Sequence, residues 1–128
     1  MRKKILIVIS NYYDEISNNL LYGATNELKL NKIEYDVIYA PGCFEIPFFV
    51  SQNIKKYRGF IALGCVIRGE TYHFELISNE CARKIMDISN KNFKPIGFGI
   101  LTCENLKQAK VRSDIKKKIK VKRLQMPV

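Results

Sequence analysis

His73 is the one histidine of the chain, and it closes the stretch Gly64-Cys65-Val66-Ile67-Arg68-Gly69-Glu70-Thr71-Tyr72-His73. An apolar run passes through a glycine-containing turn into residues suited to opening a helix. Unpaired backbone N–H groups and the positive end of a helix dipole gather at such a place, which favours an anion such as phosphate. Thr71 can cap that helix or turn its hydroxyl to the anion. A neighbouring helix N-terminus favours neutral imidazole, which can take a proton. A lone histidine is more often structural or solvent-facing, and spacing alone does not choose between these roles. Arg68 reads equally as a ligand and as a brace for the loop.

Other residues with chemistry stand at similar junctions. Glu45 follows Pro41-Gly42-Cys43-Phe44 at a helix start, where a carboxylate is favourable with or without a ligand. Tyr12 and Tyr13 follow the first apolar run and suit either ring stacking or a capped turn. Phe98 lies between Gly97 and Gly99, which let a backbone or a planar ligand approach closely, although core packing explains such a phenylalanine equally well. Cysteines stand at 43, 65, 81 and 103, separated by 22, 16 and 22 residues, with no Cys-x-x-Cys pair. That spacing argues against zinc and redox motifs and for buried free thiols. One histidine cannot build a multi-histidine metal site within one chain.

The elements that must position these residues alternate. Residues 5–9 form a continuous apolar run, as in a strand covered on both faces. Ile16, Leu20, Ala24 and Leu28 recur at four-residue spacing, predicting a helix over 14–30. A short strand follows at 35–39, then a turn at Pro41-Gly42. A second helix is predicted over 44–55, with Pro47 tolerable only in its first turn. A strand is predicted at 60–66 and a third helix from Thr71, with Phe74, Ile77, Cys81, Ile85 and Ile88 on one face. Residues 89–94 read as a polar linker and 95–101 as a fourth strand. Thr102 can cap a fourth helix beginning near Glu104. Such alternation means right-handed βαβ units and a parallel sheet, with ligands at the carboxyl ends of the strands.

The chain has 128 residues, enough for one domain with its own core and too few for two. Its seven tyrosines, seven phenylalanines and many aliphatic residues exclude wholesale disorder. No apolar run reaches the roughly 18 residues needed to span a bilayer. The basic, apolar start (Met1-Arg2-Lys3-Lys4 before the run at 5–9) has too short an apolar core for a signal peptide and reads as a first strand, so a cytoplasmic protein is expected. The formal net charge is +10. Residues 1–109 carry only +3 of it, and residues 110–128 carry +7. The basicity therefore belongs mostly to the stretch from Lys110 onward, whose end forms a basic tail at about 113–128; it contains no aromatic residue and so lacks the stacking groups of a specific RNA reader. A solvated tail, an anionic ligand and a polyanion contact remain open on charge alone.

Three segments in register carry a resemblance to a known family. They are Pro41-Gly42-Cys43-Phe44-Glu45-Ile46-Pro47, then residues 64–74, then Phe98-Gly99-Ile100-Leu101-Thr102 followed by Gln108-Ala109 and Arg112. Over about residues 4–112 the chain resembles 6,7-dimethyl-8-ribityllumazine synthase. The resemblance implies a three-layer, flavodoxin-like α/β sandwich, with a four-stranded parallel sheet and helices on both faces. It implies condensation of 5-amino-6-(D-ribitylamino)uracil with 3,4-dihydroxy-2-butanone 4-phosphate in riboflavin biosynthesis, with neither metal nor cofactor.

Carried over residue by residue, the resemblance assigns ring stacking to Tyr12 and the ribityl chain to Cys43, Phe44 and Glu45. The pyrimidine edge falls to the backbone of Cys65, Val66 and Ile67. Phosphate falls to Glu70, through its N–H, and to Thr71, and proton transfer falls to His73. Phe98 and Arg112 match residues that a neighbouring subunit supplies. The implied partners are the two small substrates and further copies of the chain, as a pentamer or an assembly of pentamers, with no membrane and no nucleic acid. Both ends are short for the family. The last helix is expected to be shortened or altered, with Lys120 near the family's lysine and Val121 where a glycine is usual. Two alternatives share much of this reading, an archaeal-type riboflavin synthase and a non-catalytic module with an RNA-contacting tail.

Overall fold

The computed structural model describes residues 4–68 and 73–114. Four parallel strands form one sheet in the order β2-β1-β3-β4: β1 (Ile5–Ser10), β2 (Tyr35–Ala40), β3 (Gly59–Ile67) and β4 (Ile96–Cys103). Between them run α1 (Asp14–Leu30), a 3-10 turn (Cys43–Glu45) leading into α2 (Ile46–Gln52), and α3 (Phe74–Asn92); α4 (Leu106–Ser113) follows β4. This is the doubly covered α/β architecture expected from the alternation.

The two inner strands explain the two-sided cover. Every residue of β1 and β3 is buried, as continuous apolar runs require. The pleat then sorts side chains by parity. Ile5, Ile7, Ile9, Ile61 and Leu63 face α1 and α4 with Ile16, Leu20, Leu28 and Ala109. Leu6, Val8, Phe60 and Ala62 face the other way, onto Ile46, Val50, Cys81, Ile85 and Ile88 of α2 and α3. Each fully buried large side chain contributes about 1.5–3 kcal/mol, so the two layers supply most of the driving force.

α1 has the predicted bounds. Asp14 and Glu15 open it and Lys29 closes it, each charge complementing the helix dipole. Ser17 Oγ donates to the Ser10 carbonyl at 2.7 Å, which ties the helix back onto the end of β1. Elsewhere the bounds move. The helix expected over 44–55 divides into the 3-10 turn and a seven-residue α2, with Pro47 in its first turn. It stops at Asn53, whose side-chain amide donates to the Phe49 carbonyl. α3 begins at Phe74 rather than Thr71, and runs through most of the supposed linker to Asn92. Its last turn is closed by Asn92 Nδ2 donating to Ile88 O and by Phe93 in the left-handed region at φ 53°. Thr102 is not a cap, because it lies within β4. Asn105 caps α4, its Oδ1 accepting from Gln108 N at 2.8 Å, while Gln108 Oε1 accepts from Glu104 N at 2.8 Å. The altered final helix, Lys120 and Val121 lie outside the described residues.

Candidate active site

The carboxyl ends of β1, β2 and β3 open onto a cleft of about 360 Å³. Its floor depends on Gly64. A Cβ there would lie 2.7 Å from Cys43 Sγ and 3.4 Å from Ser10 Cβ, so only glycine lets the 3-10 turn settle against β3. Cys43 Sγ in turn donates to the Cys65 carbonyl at 3.8 Å, and Cys81 Sγ donates to the Cys43 carbonyl at 3.1 Å. Burial pushes the Cys43 thiol up to about 11 and the Cys81 thiol up to about 12. It raises Cys65 as well, with Cys103 and Cys43 adding to the effect. All four cysteines are free and buried. At neutral pH Cys43, Cys65 and Cys81 are therefore thiols that pack and donate, and a nucleophilic role needs a thiolate.

The walls are more exposed. Tyr12 stands 69% exposed at the mouth, edge-on to Tyr13 at 4.9 Å between ring centroids. Its open face can stack on a planar ring. On the opposite side Phe44 and Glu45 project from the 3-10 turn. The Glu45 carboxylate lies back over Gly42, where a Cβ would meet Oε1 at 3.1 Å. An exposed carboxylate above an apolar floor can accept hydrogen bonds from a polyhydroxylated chain. Tyr12, Cys43, Phe44, Glu45, Cys65 and Val66 thus all line one cleft. Ile67 does not, since its side chain is buried on the face toward α1 and α4; any contact it makes with a ligand falls to its backbone.

The charged residues form a second region, at the ends of β3 and β4. His73 is exposed and immediately precedes α3, its carbonyl accepting from Ile77 N at 2.9 Å. Ile77 lines the cleft one turn further on. Arg68 Nε donates to Glu104 Oε1 at 3.0 Å, Nη1 pairs with Glu75, and the guanidinium lies 4.5 Å from the Phe74 ring centroid. The Glu75 carboxyl is held below the usual carboxylate range by Arg68, whose own value is raised in return. Of the two readings left open for Arg68, the brace is the one seen. Arg112, exposed on α4, donates from Nη1 to the Thr102 carbonyl at 3.2 Å. Neither Arg112 nor Phe98 lines the cleft of its own chain. Phe98 is half-buried among the side chains facing α3. Glu70 and Thr71 lie outside the described residues.

Comparison with known proteins decides the family. A sequence profile of 6,7-dimethyl-8-ribityllumazine synthase matches residues 2–125. The chain is 49% identical over 114 residues to the protein of that name from Bartonella tribocorum, covering 85% of this chain and 76% of the relative. It is 48% identical over 113 residues to the Bartonella henselae protein of the same name, covering 85% and 73%. For the one from Agrobacterium fabrum the values are 45% over 115 residues, 84% and 78%. The chain belongs to the 6,7-dimethyl-8-ribityllumazine synthase family. As a lumazine synthase it is a transferase of riboflavin biosynthesis.

Ser10, Tyr13 and Ile77 also line the lumazine synthase cleft. Tyr13 was singled out beside Tyr12 in the sequence, whereas Ile77 escaped that reading. Ser10 carried a signal, as the first polar residue after a buried apolar run. Ile77 carried none, because its spacing marked it as core. Among the described residues no group of histidine, cysteine and carboxylate side chains is arranged to hold a metal ion, and no helix is long and apolar enough to cross a membrane.

Proposed function

We propose that this cleft condenses 5-amino-6-(D-ribitylamino)uracil with 3,4-dihydroxy-2-butanone 4-phosphate to give 6,7-dimethyl-8-ribityllumazine, phosphate and water. The observation that carries the reading is the convergence of Tyr12, Glu45 and the end of β3 on one cleft from three separate strand ends. In this assignment the Tyr12 ring stacks on the pyrimidine. Glu45 accepts hydrogen bonds from the ribityl hydroxyls, beside Cys43 and Phe44. Backbone groups of Cys65, Val66 and Ile67 read the pyrimidine edge. Phosphate goes to Glu70, through its N–H, and to Thr71, at the approach to α3.

His73 moves protons. Imine formation, phosphate elimination and ring closure each need a proton transferred near neutral pH, a task suited to imidazole. Its exposure beside the cleft, before the α3 N-terminus, supports this role. Phe98 and Arg112 serve the cleft of an adjoining copy, with Phe98 on the ring and Arg112 on the phosphate, so the complete site lies between subunits of a pentamer. Two observations support that division: neither residue lines its own cleft, and α2 and α3 leave a groove of about 900 Å³ beside Phe44, Phe48 and Ile88, with Phe48 60% exposed. The enzyme works in the cytoplasm, without metal or cofactor.

The test is direct. Purified protein given both substrates is expected to release phosphate and develop lumazine absorbance, and its mass in solution is expected to be a multiple of five chains. A folded pentamer that forms no product would end the catalytic reading.

A further inference from the structure

We infer that Arg68 is a positioning residue that fixes His73 for proton transfer. The inference rests on the role proposed above for His73. Ile67 ends β3 and His73 immediately precedes α3, so the placing of the imidazole depends on how the start of α3 is held against the end of β3. Arg68 joins them. Its backbone is held first: Arg68 N donates to the Cys103 carbonyl at 2.9 Å, extending the pairing with β4 one residue beyond the strand. Its side chain then reaches the two residues that follow His73. The guanidinium lies over the Phe74 ring, with 4.5 Å between Cζ and the centroid, and Nη1 pairs with the Glu75 carboxylate. Phe74 is itself buried in the core, so the ring is a fixed platform. A third contact, Nε to Glu104 Oε1 at 3.0 Å, anchors the same side chain beside the start of α4.

The chemistry separates a brace from an anion ligand. Two carboxylates already occupy Nε and Nη1, and together they outweigh the single positive charge. With both partners in place, the guanidinium has no net charge left to offer a phosphate. A planar guanidinium with donors in a rigid fork suits three simultaneous contacts, which a lysine ammonium cannot reproduce. Exposed ion pairs contribute little to stability, so the value of this network is geometric.

The lone histidine makes the test clean, because NMR of protein carrying labelled histidine reports His73 alone. Compared with wild type, Arg68→Ala is expected to shift or broaden the His73 ring signals. It is also expected to lower kcat by about tenfold or more while leaving KM for each substrate within about twofold, since misplacing a reacting group costs rate rather than binding. Arg68→Lys should recover only part of kcat. In a His73→Ala background, Arg68→Ala should add no further loss, as expected of residues acting as one unit.

Unchanged His73 signals with unchanged kcat in Arg68→Ala would overturn the inference. So would a raised KM for the phosphorylated substrate together with additive losses, which would make Arg68 an anion ligand. Should Arg68→Ala fail to fold, Glu75→Gln decides on the same signals: displacement supports the brace, and no change overturns it. If wild type makes no lumazine, the proposed reaction falls, while the His73 signals still judge the brace.

Discussion

The floor of the cleft and its charged rim are built on opposite principles. The floor is made of Ser10, Cys43, Gly64 and Cys65, all buried and in contact, with thiols donating to carbonyls and a glycine spacing that leaves no room for one more carbon. The rim is made of Arg68, His73, Glu75, Glu104 and Arg112, all exposed, with the arginines and carboxylates held by charge and hydrogen bonds. Shape is set where water is absent, so packing decides it. In the proposed reaction protons and phosphate are handled where water reaches, so the chain can place charges there without a large desolvation cost. Change in the floor should therefore read out as stability, and change in the rim as rate.

The largest effect belongs to the rim. His73→Ala should lower kcat by about a hundredfold or more, the usual scale of a lost general acid–base group, while thermal melting stays at the wild-type temperature. A matching fall in melting temperature would break the division. Next is Gly64→Ala in the floor. Its Cβ enters the space of Cys43 Sγ, and overpacking of this kind costs about 1–3 kcal/mol, seen as a lowered midpoint in urea. Adding Cys43→Ala should restore part of that loss, and no recovery would mean that the thiol is not the obstruction.

A smaller effect is expected at the outer border of the rim. Asn105→Ala removes the α4 cap and should cost about 1 kcal/mol, with a modest loss of activity if α4 presents Arg112 as proposed. The smallest lies at the far end of the sheet. Tyr57 Oη donates to Asp36 Oδ2 at 2.7 Å, and that bond, with help from Lys4, holds the Asp36 carboxyl below the ordinary aspartate value. A depressed carboxylate stabilises the fold above its unfolded value and loses that contribution as pH falls through its folded value. Tyr57→Phe should therefore lower the melting temperature slightly near neutral pH, and the gap from wild type should close in acid. Activity should not change.

The same contrast explains what could be read from the amino-acid order. α1 was readable at both ends because Ile16, Leu20, Ala24 and Leu28 mark one face and acidic residues open it. β3 was readable because a strand buried on both faces must be apolar throughout. The start of α3 was not, since Thr71 is a good capping residue and the helix begins only at Phe74. Its end was hidden because Ser89, Asn90, Lys91 and Asn92 extend past the last core contact at Ile88, where polarity no longer separates helix from linker. The α4 cap was missed although Asn105 and Gln108 stand at capping-box spacing; Thr102 drew the assignment because the strand was taken to end too early. In the site, the floor segments were found by motif. The partners of Arg68 were not, because Glu75 and Glu104 lie 7 and 36 residues away and only the fold brings them together.

The strand order bears on how the protein comes to exist at all. β1 sits between β2 and β3, so Ile5 pairs with Tyr35 on one side and with Gly59 on the other, and Phe60 waits for Ile96. Each of these pairings closes a long stretch of chain, and such closures come late and slowly. No ligand can assist them, because the cleft is incomplete until β3 has docked beside β1. Substrate or product should accordingly leave the refolding rate alone and slow unfolding, acting as a latch on a finished molecule rather than a template for an unfinished one.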